Sequence, residues 1–160
     1  MDIDNVVTVV GKTFATSFFD IPGIVTGAAY ASGDAFGAKF VLPVPKAGTI
    51  NTVLMQDLDG EGIATELWLF NKNITGTADN AAWAISDADM QYCEGVITIS
   101  TFKDGGAAGV TNKMGQEDNI GKDYSAPEGK LYIQCVTRGA PNIAAANIPR
   151  IALRGSSAEV

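Results

Sequence analysis

Short apolar runs separated by turns rich in glycine, asparagine and aspartate dominate this sequence. Residues 40–45 alternate large apolar groups with other side chains, and Pro43 and Pro45 end this predicted strand or confine it to a sheet edge. Residues 6–10 and 13–19 fit either a strand or an extended arm. Apolar and β-branched runs predict further strands at residues 49–56, 63–70, 95–102, 130–137 and 148–153.

The segment 63–70 is apolar on both faces, because successive side chains of a strand point to opposite sides. One face carries Ile63, Leu67 and Leu69, and the other carries Ala64, Trp68 and Phe70. We therefore expect a strand buried on both sides, either covered by a loop or used in a contact between subunits.

Two long segments lack this strand pattern. Residues 71–91 read as a loop with one helical turn, which Ser86 could cap, and residues 104–123 read as an excursion or a pair of weak edge strands. With no long amphipathic helix and no internal repeat, the pattern predicts an all-β fold, a β-sandwich or barrel of jelly-roll type. We expect an N-terminal strand or extended arm at 1–20 and a single β-sandwich domain at 21–160.

Composition limits the classes of partner. Of the 160 residues, 46% are hydrophobic and 18% are charged, which is typical of a folded domain. The net charge of -7 argues against a nucleic-acid-binding surface, which needs clustered Lys and Arg. The apolar runs are too short to span a membrane and no secretory signal is evident, so we expect a soluble protein made in a cytosol.

The sequence contains no histidine, which removes Ser-His and Cys-His nucleophiles and the usual zinc sites. A glycosidase needs only two carboxylates. Nothing in the spacing of the available carboxylates selects a pair, so we expect a non-enzymatic protein without catalytic residues. The carboxylates considered are Glu61, Glu66, Asp87, Asp89, Glu94 and Asp104.

The segment Asp57-x-Asp59-Gly60-Glu61 resembles the opening of a calcium loop. It lacks a third ligand before the glycine, a later bidentate glutamate and flanking helices, so an Asp-Gly hairpin turn is the preferred interpretation. Asp87-x-Asp89 gives no stronger signal. We therefore predict no metal site and no cofactor.

The aromatic residues could form a platform on which a sugar ring stacks. Their positions in or near predicted strands favour packing in the core or at a subunit interface. The residues concerned are Trp68, Trp83, Tyr92, Tyr124 and Tyr132.

The two cysteines, Cys93 and Cys135, lie in different segments, so a disulfide between them is geometrically possible. Because a cytosolic product keeps its thiols reduced, we expect two buried thiols.

Several blocks of the sequence, in order between residues 29 and 154, together resemble a family of small structural proteins encoded by tailed bacteriophages. The motifs are structural, and none marks an active site. The blocks are Ala29–Phe40, Leu67–Lys72 with Thr77–Ala82, Ser86–Asp89 with Glu94–Ile99, and Gly129–Pro141.

This resemblance implies an all-β virion component, a capsid decoration or cement protein that binds the major capsid protein at the head surface after assembly in the host cytoplasm. Such proteins sit where capsomers meet, which implies a homo-oligomer, a trimer or a dimer, with the trimer preferred. The family implies no catalytic residue. Another virion role, such as a head-fibre base or tail protein, and a carbohydrate-binding module remain alternatives.

The segment 2–19 precedes these matching blocks. We consider two hypotheses for it: it extends to clamp a neighbouring subunit, or it pairs as the first strand of its own sheet.

Overall fold

The computed structural model describes residues 12–106 and 111–158. In these ranges the chain forms eleven β-strands and one short helix, α1 (Asp87–Met90). The strands are β1 (Lys12–Ala15), β2 (Phe19–Asp20), β3 (Ala35–Pro43), β4 (Ala47–Asp57), β5 (Thr65–Phe70), β6 (Cys93–Ile99), β7 (Phe102–Asp104), β8 (Lys113–Glu117), β9 (Lys122–Ser125), β10 (Lys130–Thr137) and β11 (Arg150–Ser157).

The strands form two antiparallel sheets packed face to face. The seven-stranded sheet has the order β1-β11-β4-β8-β7, with β2 on β11 and β9 on β4. The four-stranded sheet has the order β3-β10-β5-β6. The architecture confirms the predicted all-β sandwich, whereas a jelly-roll connection of the strands stays a prediction.

The main core lies between the two sheets. Along β4 alternate side chains point inward on either side of a register shift between residues 50 and 52, and Ile50, Val53 and Met55 are at most 3% exposed. They meet Leu67 and Leu69 of β5, which are fully buried from the opposite sheet. Period-two alternation therefore produces the inner faces of the sandwich, as the sequence pattern indicates.

The described part of the N-terminal segment belongs to the seven-stranded sheet. Residues Lys12–Ala15 pair with β11, and Phe19–Asp20 pair with the same strand further along. Phe19 also stacks on Phe40, with ring centroids 5.4 Å apart. Residues 12–20 thus form edge strands of the chain's own sheet. The run at 6–10, predicted as a strand or an extended arm, lies outside the described residues.

The predicted segments 63–70 and 104–123 show how bounds differ in the structure. The strand predicted at 63–70 begins at Thr65, because Gly62 has a positive φ of 62° and turns the chain just before it. The segment 104–123 contains β8 and the first half of β9, which both pair with β4, so the alternative of two strands is confirmed. β8 lies between β4 and β7, however, and is not an edge strand as predicted.

Candidate functional site

The outer face of the four-stranded sheet carries a second apolar cluster, covered by the loop 71–92. Phe70 and Tyr132 of the sheet pack with Ile74 of the loop. Partly buried side chains from both sides surround them: Trp68, Trp83, Ile85, Tyr92 and Cys93. The loop covers the outer face of β5 completely at Phe70 and partly at Glu66 and Trp68, so the prediction of a strand buried on both faces is confirmed only at Phe70.

Phe70 is completely buried under this loop. The hypothesis that Phe70 docks another subunit is therefore wrong for the folded chain, since the loop occupies its outer side. Trp68 remains half-buried and lies against Trp83, with ring centroids 5.4 Å apart and a tilt of 49°. Both tryptophans pack against the second apolar cluster. This agrees with the interpretation that the sequence favoured over a sugar-stacking platform.

Gln134 ties the covering loop to the sheet. Its side chain is fully buried on β10, where Nε2 donates to the carbonyl of Thr77 at 2.6 Å and to the carbonyl of Gly37 at 3.2 Å. Its Oε1 accepts from the backbone N–H of Thr77 at 2.9 Å. A buried amide with its hydrogen-bonding groups satisfied fixes the position of the loop.

Asp79 forms a second tie. Its carboxylate accepts from the N–H of Gly37 at 2.6 Å, the N–H of Val25 at 2.8 Å and the hydroxyl of Tyr30 at 2.8 Å. Burial and the hydrogen bond to Asp79 raise the pKa of Tyr30 well above its ordinary value, so the phenol stays protonated as a donor. One carboxylate thus joins the loop, β3 and the segment before it.

Among the candidate carboxylates, Glu66 is held by an arginine. Arg138 donates to it from two nitrogens at 2.8 and 2.7 Å, and Trp68 Nε1 donates at 3.1 Å. The Arg138 hydrogen bonds lower the pKa of Glu66, partial burial opposes this, and the Trp68 bond assists. A carboxylate that stays ionised in this way is suited to a structural ion pair and poorly suited to donate a proton.

The other candidate carboxylates lie on separate elements. Glu94 accepts from Asn71 and, at 3.0 Å, from the N–H of Ser125. Asp104 lies 4.0 Å from Lys113.

The remaining three lie on the covering loop and on the connection after β4. Asp89 accepts from the N–H of Thr75 at 3.1 Å, whereas Asp87 is exposed in α1 and Glu61 is exposed after β4. Ser86 caps α1 through its hydroxyl, as predicted.

In the turn at Asp57–Gly60 the aspartate carboxylates bind backbone and side-chain N–H groups. Asp57, only 2% exposed, accepts from the N–H of Gly60 at 2.9 Å and of Gly62 at 2.6 Å. Asp59 accepts from Ala144 and Asn147 in a distant loop. Because β4 and β5 belong to different sheets, this turn is a crossover between sheets and the predicted hairpin is wrong. In residues 12–106 and 111–158, no group of three or more acidic or cysteine side chains could hold a metal ion.

Both cysteines are free thiols. Cys135 is fully buried on β10, and burial raises its pKa to about 12. Cys93 is half-buried beside Phe70, and burial is also the main cause of its raised pKa. The expected pair of thiols is present, although only Cys135 is completely enclosed.

The fold defines the class of protein as an antiparallel two-sheet β-sandwich. No protein-family model and no curated protein matches the sequence. None of the described helices is long and apolar enough to cross a membrane.

Proposed function

We propose that this chain is a non-enzymatic structural protein of a tailed-phage virion, a decoration or cement protein that binds the major capsid protein on the head. The proposal is supported by where the sequence blocks that resemble the phage family lie. They fall on β3, β5, β6, β10 and the loop 71–92. These elements make up the four-stranded sheet and its cover, so the resemblance concerns one continuous structural unit.

The way this unit is held together also supports the proposal. Gln134 and Asp79 fix the loop through buried or half-buried hydrogen bonds, and Lys39 donates to Asn73 at 2.7 Å in the same loop. A protein that binds many equivalent positions on a shell benefits from a preformed surface, because little ordering entropy is then lost on binding.

The decisive measurement is the number of copies in purified virions, by quantitative mass spectrometry against the major capsid protein. A cement protein would be present near one copy per capsid subunit, or in a fixed ratio to the junctions between capsomers. A few copies per virion would indicate a vertex or tail component. Complete absence would reject a virion role and return attention to the carbohydrate-binding alternative, which a glycan array tests.

The structure sharpens the test of the clamp hypothesis for the N-terminal segment. Removing residues 2–19 would delete β1, which pairs with β11, and would damage the sheet itself. Removing only residues 2–11 leaves β1 intact. If those residues clamp a neighbour, this shorter deletion weakens rebinding to stripped heads while the melting temperature stays near that of the full chain. Unchanged rebinding would reject the clamp.

A further inference from the structure

The strand β6 differs from the other strands at the edges of the two sheets. The outermost strands are β1, β2, β7 and β9 in the larger sheet and β3 and β6 in the smaller one. An edge strand presents unpaired N–H and C=O groups, and proteins protect such edges with proline, charged side chains, very short strands or covering segments.

The edge at β3 is covered. The N–H groups of Ala35 and Ala38 donate to the carbonyls of Ala81 at 2.8 Å and Pro22 at 2.7 Å, and that of Gly37 donates to Asp79. Pro43 ends the strand.

The edges of the larger sheet are short and charged. β7 has three residues, two of which are Lys103 and Asp104. β1 has four residues and begins with Lys12. β2 and β9 are also short and carry Asp20 and Lys122, so all four strands show protection of the kinds that prevent pairing with another chain.

Among the described residues, β6 shows none of these protections over residues 96–99, although the Lys122 side chain lies against Gly95. From Gly95 to Ile99 it contains no proline and no charge, and it pairs with β5 in unbroken register, from Leu69 opposite Gly95 to Thr65 opposite Ile99. Val96 is 39% exposed, and Thr98 is also exposed. An uncharged, regular strand of this kind is a template for a further strand.

Two glutamates mark the ends of this open stretch. Glu94, at the irregularity that precedes Gly95, has its carboxylate engaged by Asn71 and Ser125. Glu117 accepts from the N–H groups of Ser100 at 2.7 Å and Thr101 at 2.8 Å, just after the strand ends. The segment left for pairing is therefore the neutral run of residues 95–99.

We propose that β6 pairs antiparallel with β6 of a second copy of this chain, about a twofold axis at Ile97. In this register Gly95 lies opposite Ile99 of the second copy, and Val96 lies opposite Thr98. These pairs bring no like charges together, and the Val–Thr pairs are β-branched. The space at Gly95 is occupied by the Lys122 side chain, which would therefore lie beside Ile99 of the second copy. The two four-stranded sheets become one continuous sheet across the dimer.

A second copy fits this edge because the run is self-complementary in the antiparallel direction. An isologous contact places the same patch of both subunits together, and the pairing closes at two copies without leaving a free β6 edge. The geometry therefore favours a dimer over the trimer that the sequence resemblance implied. This inference does not depend on the virion role, since it concerns the isolated chain.

The test is sedimentation analysis of the full chain over a range of concentrations, with Val96→Lys as the disrupting variant. Each lysine would lie opposite Thr98 of the second copy, and the two lysines would be diagonal neighbours on one face across the twofold axis. Their repulsion and the loss of both Val–Thr pairs should weaken dimerisation by at least about tenfold. Val41→Lys is the matched control. Val41 is 37% exposed, against 39% for Val96, and it lies on the opposite outer strand of the same sheet. The control should dimerise like the unmodified chain.

Backbone hydrogen exchange at residues 95–99 gives a second measurement. Protection that grows with protein concentration, and is lost in a folded Val96→Lys variant, supports the pairing. A monomer at every concentration overturns it and leaves the edge for a strand of another protein. A trimer, or a dimer unaffected by Val96→Lys, also overturns it. Virion copy number tests the proposed function separately, so the virion role and the β6 dimer can each be rejected without rejecting the other.

Discussion

Gln134 and Thr77 exchange two hydrogen bonds across the space between a sheet and the loop that covers it. The amide Nε2 of Gln134 donates to the Thr77 carbonyl at 2.6 Å, and its Oε1 accepts from the Thr77 N–H at 2.9 Å. The side-chain amide of Gln134 thus bonds to both the N–H and the carbonyl of Thr77, as the backbone of a neighbouring strand would. The stability of the loop should therefore depend on this one amide.

Replacing Gln134 with Leu should destabilise the fold by about 3 kcal/mol, because the N–H and carbonyl of Thr77 lose their buried partner. Urea unfolding measures this. Gln116→Leu is the control, since Gln116 is exposed on β8 and the same change there should cost less than about 1 kcal/mol. Equal losses for the two variants would contradict a special role for Gln134.

Replacing Asp79 with Asn should cost about 2 kcal/mol, because an amide offers one acceptor oxygen where the carboxylate accepts from Val25, Tyr30 and Gly37. Hydrogen exchange should accelerate in the loop 71–92 and near Val25. Asp87→Asn provides the control on the exposed helix α1. Coupling between Asp79→Asn and Tyr30→Phe in a double-mutant cycle would confirm the shared contact.

The ion pair of Glu66 and Arg138 should contribute to the pH dependence of stability. The folded pKa of Glu66 is lowered from 4.5 by the Arg138 hydrogen bonds. Its contribution is therefore complete above the unfolded pKa and is lost as the pH falls through the folded pKa.

Unfolding free energies measured between pH 6 and about pH 2 should thus fall less steeply for Glu66→Gln than for the unmodified chain. Glu61→Gln, which changes an exposed carboxylate on the connection after β4, serves as the comparison. The effect should be small, because exposed charges are screened by solvent. Identical slopes for Glu66→Gln and the unmodified chain would contradict it.

The two cysteine thiols should differ in their reactivity toward a disulfide reagent. Burial raises the pKa of Cys135 to about 12, so this thiol should stay unmodified by a disulfide reagent at pH 8 until the chain unfolds. Cys93 is half-buried and should react slowly in the folded state. Counting released chromophore gives at most one thiol per native chain and two in denaturant. A Cys93→Ser variant that still reacts when native would contradict the assignment.

The strand pattern could be predicted because it depends on alternation within a few residues. The segments at 49–56, 95–102 and 130–137 each contain most of a strand found in the structure, and the helical turn after Ser86 was also predicted. Sheet membership could not be predicted in this way. Whether Asp57–Gly60 closes a hairpin or crosses between sheets depends on long-range pairing, which local turn residues do not encode.

The residues that hold the covering loop also escaped prediction. Asp79 occurs in an Ala-Asp-Asn-Ala segment that looks like an ordinary polar turn, and Gln134 interrupts an apolar strand without any motif. Their partners, Val25 and Gly37 among them, are 42 or more positions away in the chain. The one available signal was Gln134 itself, since an amide within a strand apolar on both faces requires buried partners.

The pairing of β1 with β11 brings distant parts of the chain into one ladder. Leu153 donates to the hydroxyl of Thr16 across 137 positions of sequence. During synthesis on the ribosome, residues 12–20 therefore have no strand to pair with until residues 150–157 of β11 have been made. The β1–β11 edge of the larger sheet can therefore form only after elongation is nearly finished. Folding should be slow, because the chain must close this long loop before the contacts between the two ends can stabilise it.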